Sequence, residues 1–127
     1  HILFSVPAIK GLEFGSGFGI AEMLGSEAND SYYYDGDQIK TRTNHNGGIL
    51  GGITDGMPII YKVAIKPPAS ITKVQQTINI EDKTAAELSV EGRHDPIIVP
   101  RAIPVLEAVT AIAILDLLLD SKFYKYD

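Results

Sequence analysis

An α+β fold is predicted from two features of the sequence. The leading part of the chain is a series of short β-branched and aromatic runs punctuated by glycine and proline, which read as strands and turns. Its end is one nearly continuous apolar run of helical length. With 127 residues and 45% hydrophobic composition the chain has enough apolar material for a packed core, so disorder is not expected. One domain, or a piece of one, is expected to span residues 1–127.

In chain order, Ile2 to Phe14 is a mixed apolar stretch interrupted by Pro7 and Gly11. It predicts a bent strand near an edge or a ligand, because proline withholds a ladder donor. His1-Ile2-Leu3-Phe4 reads as the middle of a strand and lacks an initiating methionine, so the chain is expected to be a piece of a longer polypeptide. Gly15-Ser16-Gly17 is a turn, and Phe18 to Leu24 is a short amphipathic helix that Gly25 stops. Ser26 to Gly48 is polar. Within it Asp35-Gly36 predicts a hairpin turn between Tyr32–Tyr34 and Gln38–Thr43. Asn44 to Gly56 is glycine-rich, and Met57 to Ile65 predicts a buried strand. Ile71–Ile80 and Glu87–Glu91 predict two more strands. Ala102 to Asp120 predicts a long buried helix, with Pro104 in its first turn. Glu107 and Asp116 divide that run, so its uncharged stretch is shorter than the roughly 20 residues a bilayer requires. A core or subunit-interface helix is the expectation, without a membrane.

Charge and composition narrow the function. Eleven Lys and Arg against sixteen Asp and Glu give a net charge of −5, unlike the basic face of a nucleic-acid binder. Binding of a small anion by local cations remains compatible with that charge. The absence of cysteine excludes disulfides, thiolate metal sites and cysteine nucleophiles. No basic-then-apolar leader opens the chain, and a cytoplasmic protein is expected. His1, His45 and His94 have no metal-ligand spacing, so no metal is expected.

Four segments carry possible chemistry. Gly15-x-Gly17-x-Gly19 follows a predicted strand but lacks the spacing of a dinucleotide fingerprint, and a tight turn is the simpler reading. In Asn44-His45-Asn46-Gly47-Gly48-Ile49-Leu50-Gly51-Gly52, the paired glycines admit close approach of a flat ligand or another main chain, or form a hinge. Lys66-Pro67-Pro68-Ala69-Ser70 is a stiff turn in which Lys66 and Ser70 can hold a phosphate or simply face solvent. Gly92-Arg93-His94-Asp95-Pro96 is the densest cluster. Arg93 can grip an anion and Asp95 can take a proton beside a cofactor, although a surface ion pair has the same composition.

In this order the segments resemble chorismate synthase. Lys10-Gly11-Leu12-Glu13, then Gly25-Ser26 with Asn29-Asp30, then Asn44 to Gly52 with Gly56, are similar to successive stretches of that family. So are Lys66-Pro67 with Ser70, and the R-H-D-P segment with the proline and glutamate that follow it up to Glu107. The resemblance covers nearly the whole chain. It implies an FMN-dependent carbon–oxygen lyase that forms chorismate from 5-enolpyruvylshikimate 3-phosphate, in a 1,4-elimination that needs reduced FMN without net redox change. It implies that Ala8, Gly51, Lys66, Pro67, Pro68, Ala69, Ser70 and Arg93 help form the FMN site, with Lys66 and Ser70 at the cofactor phosphate. Asp95 would lie near the flavin ring and assist proton removal. It also implies a β-α-β sandwich with helices packed between sheets, and a homotetramer. Three positions depart from the family pattern: Pro7 where Asn is frequent, Pro68 where Thr is common, and Ile97 where a small residue is usual. The family's two acid–base histidines, its substrate-gripping arginines and a second flavin segment have no counterpart here, and His45 and His94 do not match those histidines. The 127-residue chain by itself is therefore expected to be inactive.

Overall fold

A computed structural model of the chain describes residues 1–123. It is a mixture of helix and strand, as the sequence predicts, and it divides into two compact units. One is Ile9–Ile65; the other joins His1–Ala8 to residues 66–123. Among the described residues the strands pair as four separate two-stranded antiparallel sheets.

In the first unit β1 (Ile9–Phe14) pairs with β6 (Tyr61–Ile65). The register places Leu12 opposite Val63, Glu13 opposite Lys62 and Phe14 opposite Tyr61, with a bulge between Ile9 and Gly11. Cross-strand pairs of this kind stabilise a two-stranded ribbon. Lys62 Nζ donates to Glu13 Oε1 at 3.1 Å, and the Phe14 and Tyr61 rings lie 6.0 Å apart. Only Tyr61–Ile65 of the predicted 57–65 strand is extended, and its residues alternate between half-buried and exposed rather than being fully buried. Bonds from Asn44 Nδ2 to the Pro58 carbonyl and from Ile60 N–H to the Gly47 carbonyl take the segment before it into a loop contact. The tyrosine hairpin forms as expected, with β2 (Tyr32–Asp35) and β3 (Gln38–Thr41) joined through Gly36-Asp37. The two-stranded β4 (Ile49–Leu50) and β5 (Ile53–Thr54) turn through Gly51-Gly52.

The predicted Phe18–Leu24 helix is instead a 3₁₀ helix over Gly17–Glu22. The Glu13 carboxylate accepts the Phe18 N–H at 3.2 Å, fixing the start of a tight turn. Gly25 does not stop that helix. It opens α1 (Gly25–Ala28), whose Glu27 carboxylate caps the Leu24 N–H at 2.8 Å.

Asp30 is the polar centre of this unit. It is buried, and Oδ1 accepts from the Thr43 hydroxyl (2.7 Å) and the His45 N–H (2.8 Å). Oδ2 accepts from the Asn46 N–H and side-chain amide, both at 2.9 Å. Burial pushes the Asp30 pKa up, but the bonds from Asn46, Thr43 and His45 together outweigh it and hold the carboxyl below its usual value. His45 in turn reaches Ser16, through Nδ1 to Oγ at 2.7 Å and through its carbonyl to the Ser16 N–H at 2.9 Å. The loop that follows β3 is thereby tied to the glycine turn that follows β1.

In the second unit Ile2–Ser5 is a 3₁₀ helix, not the predicted strand. Its turn is closed by Val6 N–H to the Leu3 carbonyl (3.2 Å) and by Ser5 Oγ to the Ile2 carbonyl (2.7 Å). The chain then reverses at Ala8, whose φ of 70° is in the left-handed region, and the Ala8 carbonyl accepts the Lys66 N–H at 2.7 Å. β7 (Gln75–Asn79) and β8 (Thr84–Leu88) form a hairpin, so the strand predicted at 87–91 lies earlier. The Asn79 side chain accepts the Glu81 N–H at 2.9 Å and closes that turn sooner than the apolar pattern suggests.

α2 (Val99–Phe123) confirms the predicted helix with two corrections. It starts at Val99, where the Ile98 carbonyl takes the Arg101 and Ala102 N–H groups, so Pro104 lies inside it and Pro100 occupies the first turn. It is also not buried: Ile112 is 56% exposed and Leu117 68%. An apolar helix is covered only when other elements surround it, and within this unit the segment packed on α2 is the Ile2–Ser5 turn. By length and composition alone Val99–Ser121 would suffice to cross a bilayer, a property it shares with core helices.

Asp30→Asn should lower unfolding free energy at neutral pH by about 2–3 kcal/mol, because an amide NH2 replaces one oxygen and the two Asn46 donors at Oδ2 lose their acceptor. Because the folded pKa is depressed, the carboxylate's contribution is present above the unfolded value of about 3.9 and is lost as pH falls through the folded one. Thermal melts across that acid range should therefore show a shallower pH slope in Asp30→Asn than in the parent.

Candidate functional site

Two segments far apart in sequence line one cavity of the second unit. Pro67, Pro68, Ile71 and Thr72 form one side, and Gly92, His94, Asp95 and Pro96 the other, around an open volume of about 450 Å³. That is within the usual size of small-molecule sites. The wall combines proline rings and an isoleucine with the polar side chains of Thr72, His94 and Asp95, so it suits a planar apolar body with a few polar contacts.

The two sides are shaped locally. Consecutive prolines fix φ and remove donors, so the chain after Lys66 cannot continue a ladder. On the other side His94 Nε2 bonds the Val90 carbonyl at 2.9 Å, which anchors the segment before Asp95. Pro96 restricts Asp95 to extended backbone. Asp95 Oδ2 accepts from Arg101 Nη1 at 2.7 Å, and its Oδ1 has no protein donor among the described residues.

Of the residues the sequence singles out, Pro67, Pro68 and Asp95 line this cavity. Lys66, Ala69, Ser70 and Arg93 belong to the same two segments and are exposed beside the lining residues in sequence. The Lys66 and Arg93 side chains have no carboxylate partner among the described residues. Ala8 is joined to Lys66 through the main chain. Gly51 lies in the other compact unit, at the turn between β4 and β5. Sequence reasoning passed over Ile71, Thr72 and Arg101. Thr72 and Ile71 sit just past the Lys-Pro turn, but Arg101 gives no signal, because its contact with Asp95 depends on how the chain bends at Pro96.

The glycine pairs separate into two uses. A Cβ on Gly48 (φ 82°) would lie 2.5 Å from the Pro58 carbonyl oxygen, so here the close neighbour is another main chain. A Cβ on Gly51 (φ 61°) would meet nothing within 4 Å. A second depression of about 380 Å³, over Tyr32, Tyr33, Tyr34 and Ile39, carries no carboxylate, imidazole or cation.

The family profile described as "Chorismate synthase" matches residues 1–119. Among similar curated proteins, the chorismate synthase of Methanococcus aeolicus is 56% identical over 124 residues, covering 97% of this chain and 33% of that protein. The chorismate synthase of Methanocaldococcus jannaschii is 52% identical over 122 residues, covering 95% and 32%. That of Lachnoclostridium phytofermentans is 54% identical over 127 residues, covering 98% and 34%. The chain thus spans about a third of the length of the relatives it matches. A solved structure described as "Crystal Structure of Chorismate Synthase" is 43% identical, with a TM-score of 0.49 over 52% of this chain and 20% of that one.

The two glycine uses have different costs. Gly51→Ala should lower stability by about 1 kcal/mol, the strain of a left-handed φ alone. Gly48→Ala should cost more than about 2 kcal/mol, because overlap with the Pro58 carbonyl adds to that strain. Denaturant unfolding of the two variants checks the order, and equal losses would contradict it.

Proposed function

The chain belongs to the chorismate synthase family, and from that premise we propose that it supplies part of the FMN and substrate site of an enzyme that forms chorismate from 5-enolpyruvylshikimate 3-phosphate. The observation that carries this reading is the meeting of the Pro67-Pro68 turn and the Gly92–Pro96 segment in one cavity with Asp95 in its wall. Both segments are those in which the sequence resembles the family.

The residues present fit such a group. The proline and isoleucine surface suits a flat ring, and the Lys66 and Arg93 cations are available for anionic groups. Lys66 and Ser70 hold the cofactor phosphate, with the Pro67-Pro68-Ala69 main chain giving the turn its shape. Arg93 binds flavin or substrate anions. Ala8 shapes the start of this turn through its bond to Lys66. Gly51 contributes a main-chain surface free of side chain, on the strength of the family pattern. Reduced FMN supplies the electron-rich ring that the elimination requires, and it returns unchanged.

Asp95 serves as proton acceptor. The proton goes to Oδ1, the oxygen without a protein donor, as the donor atom keeps the bonding electron pair. That pair becomes a new carbon–carbon double bond as the ring's unsaturation shifts, and the phosphate leaves with the electron pair of its carbon–oxygen bond, so the step balances without an external oxidant or reductant. The acid–base histidines of the family have no counterpart in this sequence, so the rest of the site comes from outside it. The full enzyme is a cytoplasmic homotetramer with a β-α-β sandwich, and the apolar α2 belongs to its packed interior.

At full family length, Asp95→Asn should lower turnover by at least about 100-fold, the usual scale for general acid–base groups. The FMN dissociation constant, read by flavin fluorescence, should move little. Equal turnover in the variant would remove the assigned role. The 127-residue chain alone should form no chorismate from substrate and reduced FMN.

A further inference from the structure

Asp95 is held by a residue outside the cavity lining. Arg101 Nη1 donates to Asp95 Oδ2 at 2.7 Å. Arg101 is the third residue of α2, and its N–H bonds the Ile98 carbonyl at 3.0 Å, so the first helical turn fixes where its side chain starts. The intervening residues Pro96 to Pro100 carry a proline at each end, which stiffens the loop that the pair closes. The side chains are 76% and 47% exposed. An ion pair this open contributes little stability, so its consequence is orientation rather than folding.

That orientation has a definite result. With Oδ2 engaged, Oδ1 is left as the oxygen available to a ligand. Arginine is a permanent cation, so it also offsets the negative charge that Asp95 would otherwise present to an anionic cofactor and substrate. A lysine could donate one hydrogen bond from the same place but lacks the rigid planar fork.

We infer that Arg101 is a positioning residue, which aims Asp95 Oδ1 for proton transfer. The inference rests on the assignment of Asp95 as proton acceptor. It is tested in the full-length enzyme with reduced FMN and 5-enolpyruvylshikimate 3-phosphate, through a cycle of Arg101→Ala, Asp95→Asn and the double variant. Arg101→Ala should lower kcat by roughly tenfold or more while the FMN dissociation constant and Tm stay near those of the parent. Arg101→Lys should recover part of the loss. In the Asp95→Asn background, Arg101→Ala should change kcat less than about twofold, because its route to the chemistry is already gone. Arg101→Gln gives the same comparison if the alanine variant does not fold. Full kcat in Arg101→Ala alongside an impaired Asp95→Asn would overturn the positioning role and leave Asp95 in place. Multiplicative losses in the double variant would also overturn it, since Arg101 would then act independently. An unimpaired Asp95→Asn would instead remove the reading on which the inference rests.

Discussion

Four donors converge on the buried Asp30 carboxylate, and the shape of the Ile9–Ile65 unit depends on them. They come from Thr43, His45 and Asn46, so one side chain organises the loop after β3. That loop reaches Ser16 through His45 and the Pro58 carbonyl through Asn44. Among the described residues few apolar side chains are buried: Leu3, Val6 and Ile9. Where an apolar core is this small, hydrogen bonds to a shielded carboxylate and close main-chain contacts at glycine fix the loops instead. The geometry is then specific but sensitive, because each buried donor needs its acceptor.

The second unit follows a different logic. Its shape near the cavity comes from residues that restrict the backbone: Pro67, Pro68 and Pro96, with the His94 bond to Val90 as an anchor. These groups do not depend on a large core, which suits a segment whose long helix is left open. α2 has apolar residues on all its sides and exposes Leu115, Leu117 and Leu118. Such a surface is stable in water only when covered. The chain spans about a third of the length of the relatives it matches.

The ends of elements were the least legible part of the sequence. The Ile2–Ser5 stretch has strand composition, yet its turn bonds and the φ of Ala8 make it 3₁₀. Phe18 to Leu24 has helical periodicity, but Glu13 reaches forward to Phe18 and a tight turn results. In both places a nearby polar group outcompeted local propensity, which no periodicity records. The candidate site was legible as a set of segments, because Lys66-Pro67 and Gly92–Pro96 each have an unusual composition. Its membership was not, because Ile71, Thr72 and Arg101 are ordinary residues until the chain brings them to Asp95.

The sequence by itself determined the α+β class, the tyrosine hairpin, the long terminal helix and the family. Each follows from local information: turn residues at fixed offsets, a sustained apolar run, and an ordered series of short motifs. Only the tertiary structure decided that two of those motifs share one cavity, that Arg101 takes one oxygen of Asp95, and that the terminal helix is uncovered. These are contacts between residues distant in the chain or between side chains whose meeting depends on a bend. Their free energy belongs to the folded arrangement, and no local pattern of residue types encodes it.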